Sequence, residues 1–357
     1  MKKATLISVV LVCCTLFLSN LSAQQFPNSS FVLDSIKTQP GTMSSVNLNV
    51  PDGSDKGTFI PVTVIQGSKP GPVLSLIAGI HGSEYAPILA LQKLRKQLDP
   101  KQLAGTIILV HIANVPAFLG RSIYVNPIDG KNLNREFPGS AEGTLSERIA
   151  HTLSEQVIQP ADYVMDIHCG DANESMYPYL LYVSKTPDPE ISEKSRRMAQ
   201  VFGINHIWIV PYDFRSIDQP PLYCDYAAVR MGKPTLLVES GESGNRDEES
   251  IDNIVKGVWN VIYDLKMFEG TVQEVQNAIE IVQDAGVDSK VEGIFYPLTE
   301  AGSNVEKDER IGYITDYFGN IISDVYAPIS GMVMCMIGTP PVKVGDPLFT
   351  IGKTMDQ

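Results

Sequence analysis

Positive charge is scarce in this 357-residue chain: 28 Lys and Arg stand against 41 Asp and Glu, a formal net charge of −13. Neutralising phosphates along a duplex takes a basic face, so nucleic-acid binding is excluded. Cysteine is scarcer still, five in all. Cys13 and Cys14 fall near the start; Cys169, Cys224 and Cys335 are odd in number and far apart. Small secreted scaffolds are stapled by close, paired cysteines, so this chain must be held by a packed core. Free buried thiols are expected for the three, with a Cys169–Cys224 bridge left open. Long apolar runs are missing too. The uncharged stretch Ala4–Ser19 falls short of the roughly 20 residues that cross a bilayer, and no positive cluster follows it. The 28 Gly and 24 Pro keep no Gly-X-Y period, which excludes collagen and indicates many turns.

What the first segment does contain is the order of a secretory leader. Lys2 and Lys3 precede the Ala4–Ser19 run, and small residues close it at Leu21-Ser22-Ala23. A lipid-modified cysteine is not expected, because Val12 and Cys13 stand where that processing requires a small residue. Residues 1–23 are therefore set aside from the fold. The chain is expected to be exported, periplasmic or secreted, with no stable span after cleavage. Losing Lys2 and Lys3 moves the net charge from −13 to −15.

Domains of about 100–200 residues suggest two units in the remainder. Residues 24–268 read as α/β, a mostly parallel or mixed sheet flanked by helices. Nearly continuous apolar runs at Val73–Ala78, Thr106–Ile112, Tyr163–Ile167, Tyr179–Val183, His206–Val210 and Thr235–Val238 suit strands buried on both faces. Amphipathic stretches at Ala86–Gln97, Thr144–Ile158, Glu190–Phe202, Tyr226–Met231 and Glu248–Phe268 supply the helices. Residues 269–357 change texture, with short β-rich segments broken by turns such as Phe318-Gly319-Asn320, and read as a small all-β domain. Ala327–Val333 followed by Val344–Leu348 resembles the barrel-sandwich module of lipoyl and biotinyl carriers. The turn Thr315–Asn320 has no lysine to modify, so attachment of a prosthetic group is not expected.

The chemistry gathers at strand ends. His81-Gly82-Ser83-Glu84 follows Val73–Ala78, at the carboxyl edge where open α/β sheets bind ligands. The i, i+3 spacing lets His81 and Glu84 converge on one divalent ion. A catalytic zinc takes three protein ligands and keeps a fourth position open. His168, at the end of Tyr163–Ile167, is the best third ligand. His111, His151 and His206 lie inside a strand, beside Glu147 on a helix and at a strand start, and are expected to be structural. Glu239 ends Thr235–Val238 and is placed to act as general base and acid, with Glu242 the competitor three residues on. Asn134 and Arg135, in the polar loop Asn126–Gly139, suit a substrate carboxylate, since the guanidinium fork binds both oxygens. Arg121 is assigned to polarising the scissile carbonyl.

His81-Gly82-Ser83-Glu84, Asn132-Leu133-Asn134-Arg135 with Phe137-Pro138-Gly139, Asp166-Ile167-His168 and Val238-Glu239-Ser240-Gly241, in this order, resemble the succinylglutamate desuccinylase/aspartoacylase family, a branch of the zinc carboxypeptidase superfamily. The resemblance spans about residues 70–245. It implies a carboxypeptidase-like α/β fold, one Zn2+ per chain on His81, Glu84 and His168, and Glu239 as general base. It also implies a substrate carboxylate on Asn134 and Arg135, and Asp166 orienting a ligand histidine. The expected reaction is hydrolysis of the amide bond of an N-acyl amino acid. An exported zinc carboxypeptidase acting on peptides or cell-wall stems is the second reading, and loops 171–178 and 211–225 are expected to decide between them. The third is a noncatalytic exported binding module. The expected partner is a small molecule or short peptide bearing a carboxylate.

Overall fold

The computed structural model describes residues 30–34, 36–213, 220 and 222–354. The leader-like residues 1–23 lie outside them, as does part of the loop 211–225. Among the described residues no helix is long and apolar enough to cross a membrane.

A mixed sheet of thirteen strands runs through the molecule. At its centre Ala104–Val110, Lys69–Ala78, Tyr163–His168 and Thr235–Glu239 lie side by side and parallel. Their apolar runs are buried on both faces, as helices on either side require. Leu76 packs into one core with the helices Tyr85–Gln97, Pro189–Phe202 and Glu248–Asp264. Its neighbour Ile77 packs into the other, with Leu145–Leu153 and Cys224–Arg230. The helix starts are written locally: Asp247 accepts from the Ser250 N–H, Asp188 from the Glu190 N–H ahead of Pro189, and Glu147 reaches back to accept from the Thr144 N–H.

The sheet is less parallel than its apolar runs suggest. Tyr179–Ser184 pairs antiparallel with Thr235–Glu239, and His206–Pro211 then lies parallel to it. On the other side Ala104–Val110 meets Thr58–Gln66, which is paired in turn with Thr42–Val50, both antiparallel. This early hairpin, the short strands Phe31–Leu33 and Ile36–Thr38, and the helix Val115–Gly120 precede or interrupt the expected series. Thr42–Val50 alternates exposed and covered residues as an edge strand does, so it carries no continuous apolar run. The expected helix Thr144–Ile158 is α-helical to Leu153 and ends in a π turn, Ser154–Ile158. The last expected helix stops at Asp264.

After residue 269 the structure is antiparallel apart from one strand. Ile279–Asp288 lies parallel to His206–Pro211 and antiparallel to Pro347–Thr354, which continues to Gly331–Ile337. Hydrogen bonds therefore carry the large sheet from the α/β region into the C-terminal one. Four strands, Ile321–Tyr326, Arg310–Thr315, Gly293–Pro297 and Pro341–Val342, form a separate sheet over a core that includes Phe295, Ile311 and Phe349. Cys169, Cys224 and Cys335 are free thiols, the first two buried.

His111 sits beyond the end of Ala104–Val110, its Nε2 2.8 Å from Thr63 Oγ1. Burial, with the Arg95 charge adding, lowers its pKa from 6.5 to about 4. As pH falls the unfolded chain takes up this proton first, so the native state loses stability between about pH 6.5 and 4 and is unaffected by this group above that window. Urea melts across that range should show a shallower loss for His111→Gln than for the parent chain.

Candidate active site

Three central strands deliver their next residues to one point. After Lys69–Ala78 the chain turns through Gly79, at φ +71°, and presents His81 and Glu84 before the helix Tyr85–Gln97 begins. Gly82 permits the approach, since a Cβ there would stand 2.2 Å from the Ala117 carbonyl oxygen. Tyr163–His168 ends on His168, and Thr235–Glu239 ends on Glu239, its register partner.

Glu84 stands between the two histidines. His81 Nδ1 is 2.5 Å from its Oε1 and His168 Nδ1 2.9 Å from its Oε2. The far nitrogens are committed outward, His81 Nε2 to Asn132 Oδ1 at 3.2 Å and His168 Nε2 to Asp166 Oδ1 at 3.0 Å. With Nε2 donating to an oxygen, each Nδ1 of a neutral imidazole turns a lone pair towards a carboxylate. Two lone pairs facing an anion repel unless a cation or protons lie among them. Burial opposes charge here, but the Asp166 and Glu84 carboxylates outweigh it and push the His168 pKa well above 6.5. Burial likewise opposes the Glu84 charge, yet the two histidines hold its carboxyl down at about 2. The candidate ligand atoms of His81, Glu84 and His168 lie within 4.8 Å of one another, and all three residues are buried. Two imidazoles and a carboxylate suit a transition-metal ion, and outward hydrogen bonds that fix the histidine tautomer are the usual support of such a site.

His81, Glu84 and His168 line a cavity of about 500 Å³ together with Glu239, Asn134 and Arg135. Glu239 Oε2 is buried with no hydrogen-bond partner. Burial, with Glu84 and Glu174 nearby, raises its pKa well above the carboxylate range. Glu242 is occupied elsewhere: it accepts from Ser175 Oγ and the Met176 N–H. Asn134 is held by its Oδ1, which accepts from the Cys224 N–H at 2.8 Å. The Arg135 guanidinium stacks 3.9 Å from the Tyr223 ring centroid and donates to the Asn134 carbonyl.

Arg121 is not brought to this cavity, which corrects its expected role. It ends the helix Val115–Gly120 at φ +50° and lines a separate groove with Phe118, Leu119 and Arg246. The left-handed turn redirects the chain, and closeness in sequence to Asn134 does not foretell that. His206 lines another depression with Tyr177, and His151 stays on the helix Leu145–Leu153.

Glu174 and Asp225 enter the cavity from the loops 171–178 and 211–225 that were expected to shape it, whereas Tyr124 and, from the C-terminal region, Asp284, Met334 and Thr350 were not expected. Tyr124 meets His81 edge-on, with ring centroids 5.9 Å apart, and its hydroxyl donates to Glu174 Oε1 at 2.8 Å. Asp171 ties the turns together, accepting from the Tyr124 N–H and from Ser83 Oγ. Asp225 is 3% exposed, and burial with Asp166 nearby raises its carboxyl pKa to about 7.

A buried His–Glu–His cluster at the carboxyl edge of a mixed α/β sheet is the arrangement of a single-metal site with an open face. Residues 70–264 match the succinylglutamate desuccinylase/aspartoacylase catalytic domain, and the chain belongs to that family. It is similar to an N-alpha-acetyl-L-2,4-diaminobutyric acid deacetylase from Halomonas elongata, 29% identical over 324 residues, covering 87% of this chain and 91% of the relative. Among solved structures, a succinylglutamate desuccinylase from Silicibacter sp. TM1040 superposes with a TM-score of 0.80 at 26% identity, covering 92% of this chain and 98% of that one. The product-bound ectoine utilization protein EutE (DoeB) from Ruegeria pomeroyi gives 0.78 at 25% identity, covering 88% and 97%.

Gly82→Ala drives a methyl group into the Ala117 backbone. The substitution is expected to cost about 1–3 kcal/mol and to displace His81 and Glu84, read as a lowered urea midpoint together with weaker cobalt binding by visible absorption.

Proposed function

We propose that the protein is a zinc-dependent deacylase that hydrolyses the amide bond of an N-acyl amino acid. The observation that carries this is the pair of inward Nδ1 atoms facing Glu84 in the same cavity as the partnerless Oε2 of Glu239. Family membership and the relative's deacetylase name support it. The leader-like order of residues 1–23 supports export.

His81, Glu84 and His168 would hold the ion. Zinc supplies Lewis acidity there, polarising a carbonyl and lowering the pKa of water towards about 7. Asp166 keeps the His168 ring in the tautomer that offers Nδ1. Arg135, pre-oriented by Tyr223, and Asn134 receive the substrate carboxylate and so fix which amide faces the site. Glu239 takes the proton from the attacking water at Oε2 and hands it to the departing nitrogen. One carboxylate serves both transfers because the proton gained in the first is the one the leaving amine needs. Burial and neighbouring carboxylates favour its protonated form, which suits the second transfer.

Two measurements test the reading. The purified chain should carry about one zinc, and His168→Ala prepared identically should carry little; a parent chain that takes up no zinc when it is supplied would overturn the mechanism. Glu239→Gln should retain the zinc while kcat towards N-acetyl amino acids falls by about 10²–10⁴-fold.

A further inference from the structure

An open sheet ends in backbone groups that will pair with another strand unless shortness, charge, proline or a bulge blunts the edge. Among the described residues, the other strand edges are blunted in these ways. The large sheet stops on one side at Asn304–Val305, a strand of two residues. Glu174–Met176, beside Gly331–Ile337, has three residues and carries Glu174. In the small sheet Pro341–Val342 is two residues long, and Ile321–Tyr326 bears Asp324 and shifts register twice against Arg310–Thr315. Phe31–Leu33 and Ile36–Thr38 have three residues each.

Thr42–Val50 has none of these protections. It forms the far end of the large sheet, and among the described residues no strand lies on its outer side. Its nine residues pair with Thr58–Gln66 without a register shift, so no bulge turns the edge away. The sequence TMSSVNLNV holds neither charge nor proline. The groove beside it, about 400 Å³, is lined by Ser45, Asn47, Thr63, Gln92, Arg95 and His111 among others, and by no carboxylate. Two copies of net charge −13 repel each other, and least along a strip that carries no acid.

The strand also complements itself. Opposed residues of an antiparallel pair lie on the same face, so a two-fold axis perpendicular to the sheet matches each face with its own kind. Val46, Leu48 and Val50, which pack into the core with Leu145–Leu153, would continue into the same face of the copy. The exposed Ser45, Asn47 and Asn49 would do so on the other. With the axis at Val46 all nine residues pair, and Ser45 opposes the partner's Asn47.

We propose that two copies of this chain join edge to edge through Thr42–Val50, antiparallel about a two-fold axis at Val46, as a homodimer with one continuous sheet. No residue of the strand lines the active-site cavity, so the proposal stands apart from the deacylase reading.

Sedimentation equilibrium of the purified chain should give twice the chain mass, falling towards one on dilution. Asn47→Lys sets two ammonium groups beside the axis and should leave a monomer at every concentration, with the thermal midpoint and zinc content of the parent. A mixture of Ser45→Cys and Asn47→Cys chains should cross-link in oxidised glutathione more readily than either alone, because opposed Cα atoms stand about 4.5–5.5 Å apart, within the span of a disulfide. Asn304→Cys, at the opposite end of the sheet, should not cross-link. A parent chain that stays monomeric when concentrated overturns the dimer, whether the amides of residues 43–50 exchange freely with solvent or are covered by the residues before 30. A dimer that survives Asn47→Lys overturns it as well, and puts the interface on another surface.

Discussion

The molecule is arranged around one crowded contact, two imidazole Nδ1 atoms turned towards a single buried carboxylate, which protons or a cation must bridge. Nothing about His81, Glu84 or His168 alone requires that orientation. Asn132 and Asp166 impose it by occupying the outer nitrogens, and each is held in turn, Asp166 inside a central strand and Asn132 at the head of the short turn Leu133–Arg135. The strand carrying Asp166 is clamped between Lys69–Ala78 and Thr235–Glu239. Those two strands lead to His81 with Glu84 and to Glu239, so one set of backbone hydrogen bonds sets the spacing of the His–Glu–His cluster and Glu239.

That part of the site was legible from residue order. A run such as Tyr163–Ile167 is apolar because helices cover it on both sides, and the polar residue that follows must lie at the sheet's edge. His81, His168 and Glu239 each follow such a run, and Glu84 comes one turn after His81, which is why the sequence alone places the four side chains together. Strand direction was not legible. Tyr179–Val183 reads the same whether it lies parallel or antiparallel to its neighbour, because burial on both faces sets its composition and direction does not. The early hairpin escaped notice for the opposite reason, since Thr42–Val50 is an edge strand with one face exposed.

Asp284 and Tyr124 give no usable signal, and Asp225 is singled out only by lying at the end of the loop 211–225. Asp225 looks like one more acid in an acidic chain, at the start of a short helix. Asp284 lies in a strand whose sequence, IEIVQDAGVD, alternates like any partly exposed β segment. Asp284 reaches the cavity only because Ile279–Asp288 aligns with His206–Pro211, a register that depends on partners far away in sequence. Arg121 errs the other way. It lies near Asn134 in the chain, and a single left-handed residue sends it to another face.

The continuity of the sheet beyond His206–Pro211 bears on how this chain tolerates being cut. Residues 279–354 look like an appendage in sequence, yet they supply the strand that covers the edge of His206–Pro211 and part of the cavity wall. Deleting them would leave a row of unpaired backbone groups along His206, Ile207 and Trp208, the kind of bare edge on which sheets from different molecules join. A shortened chain is thus more prone to self-association, and the cavity keeps its floor but loses one side.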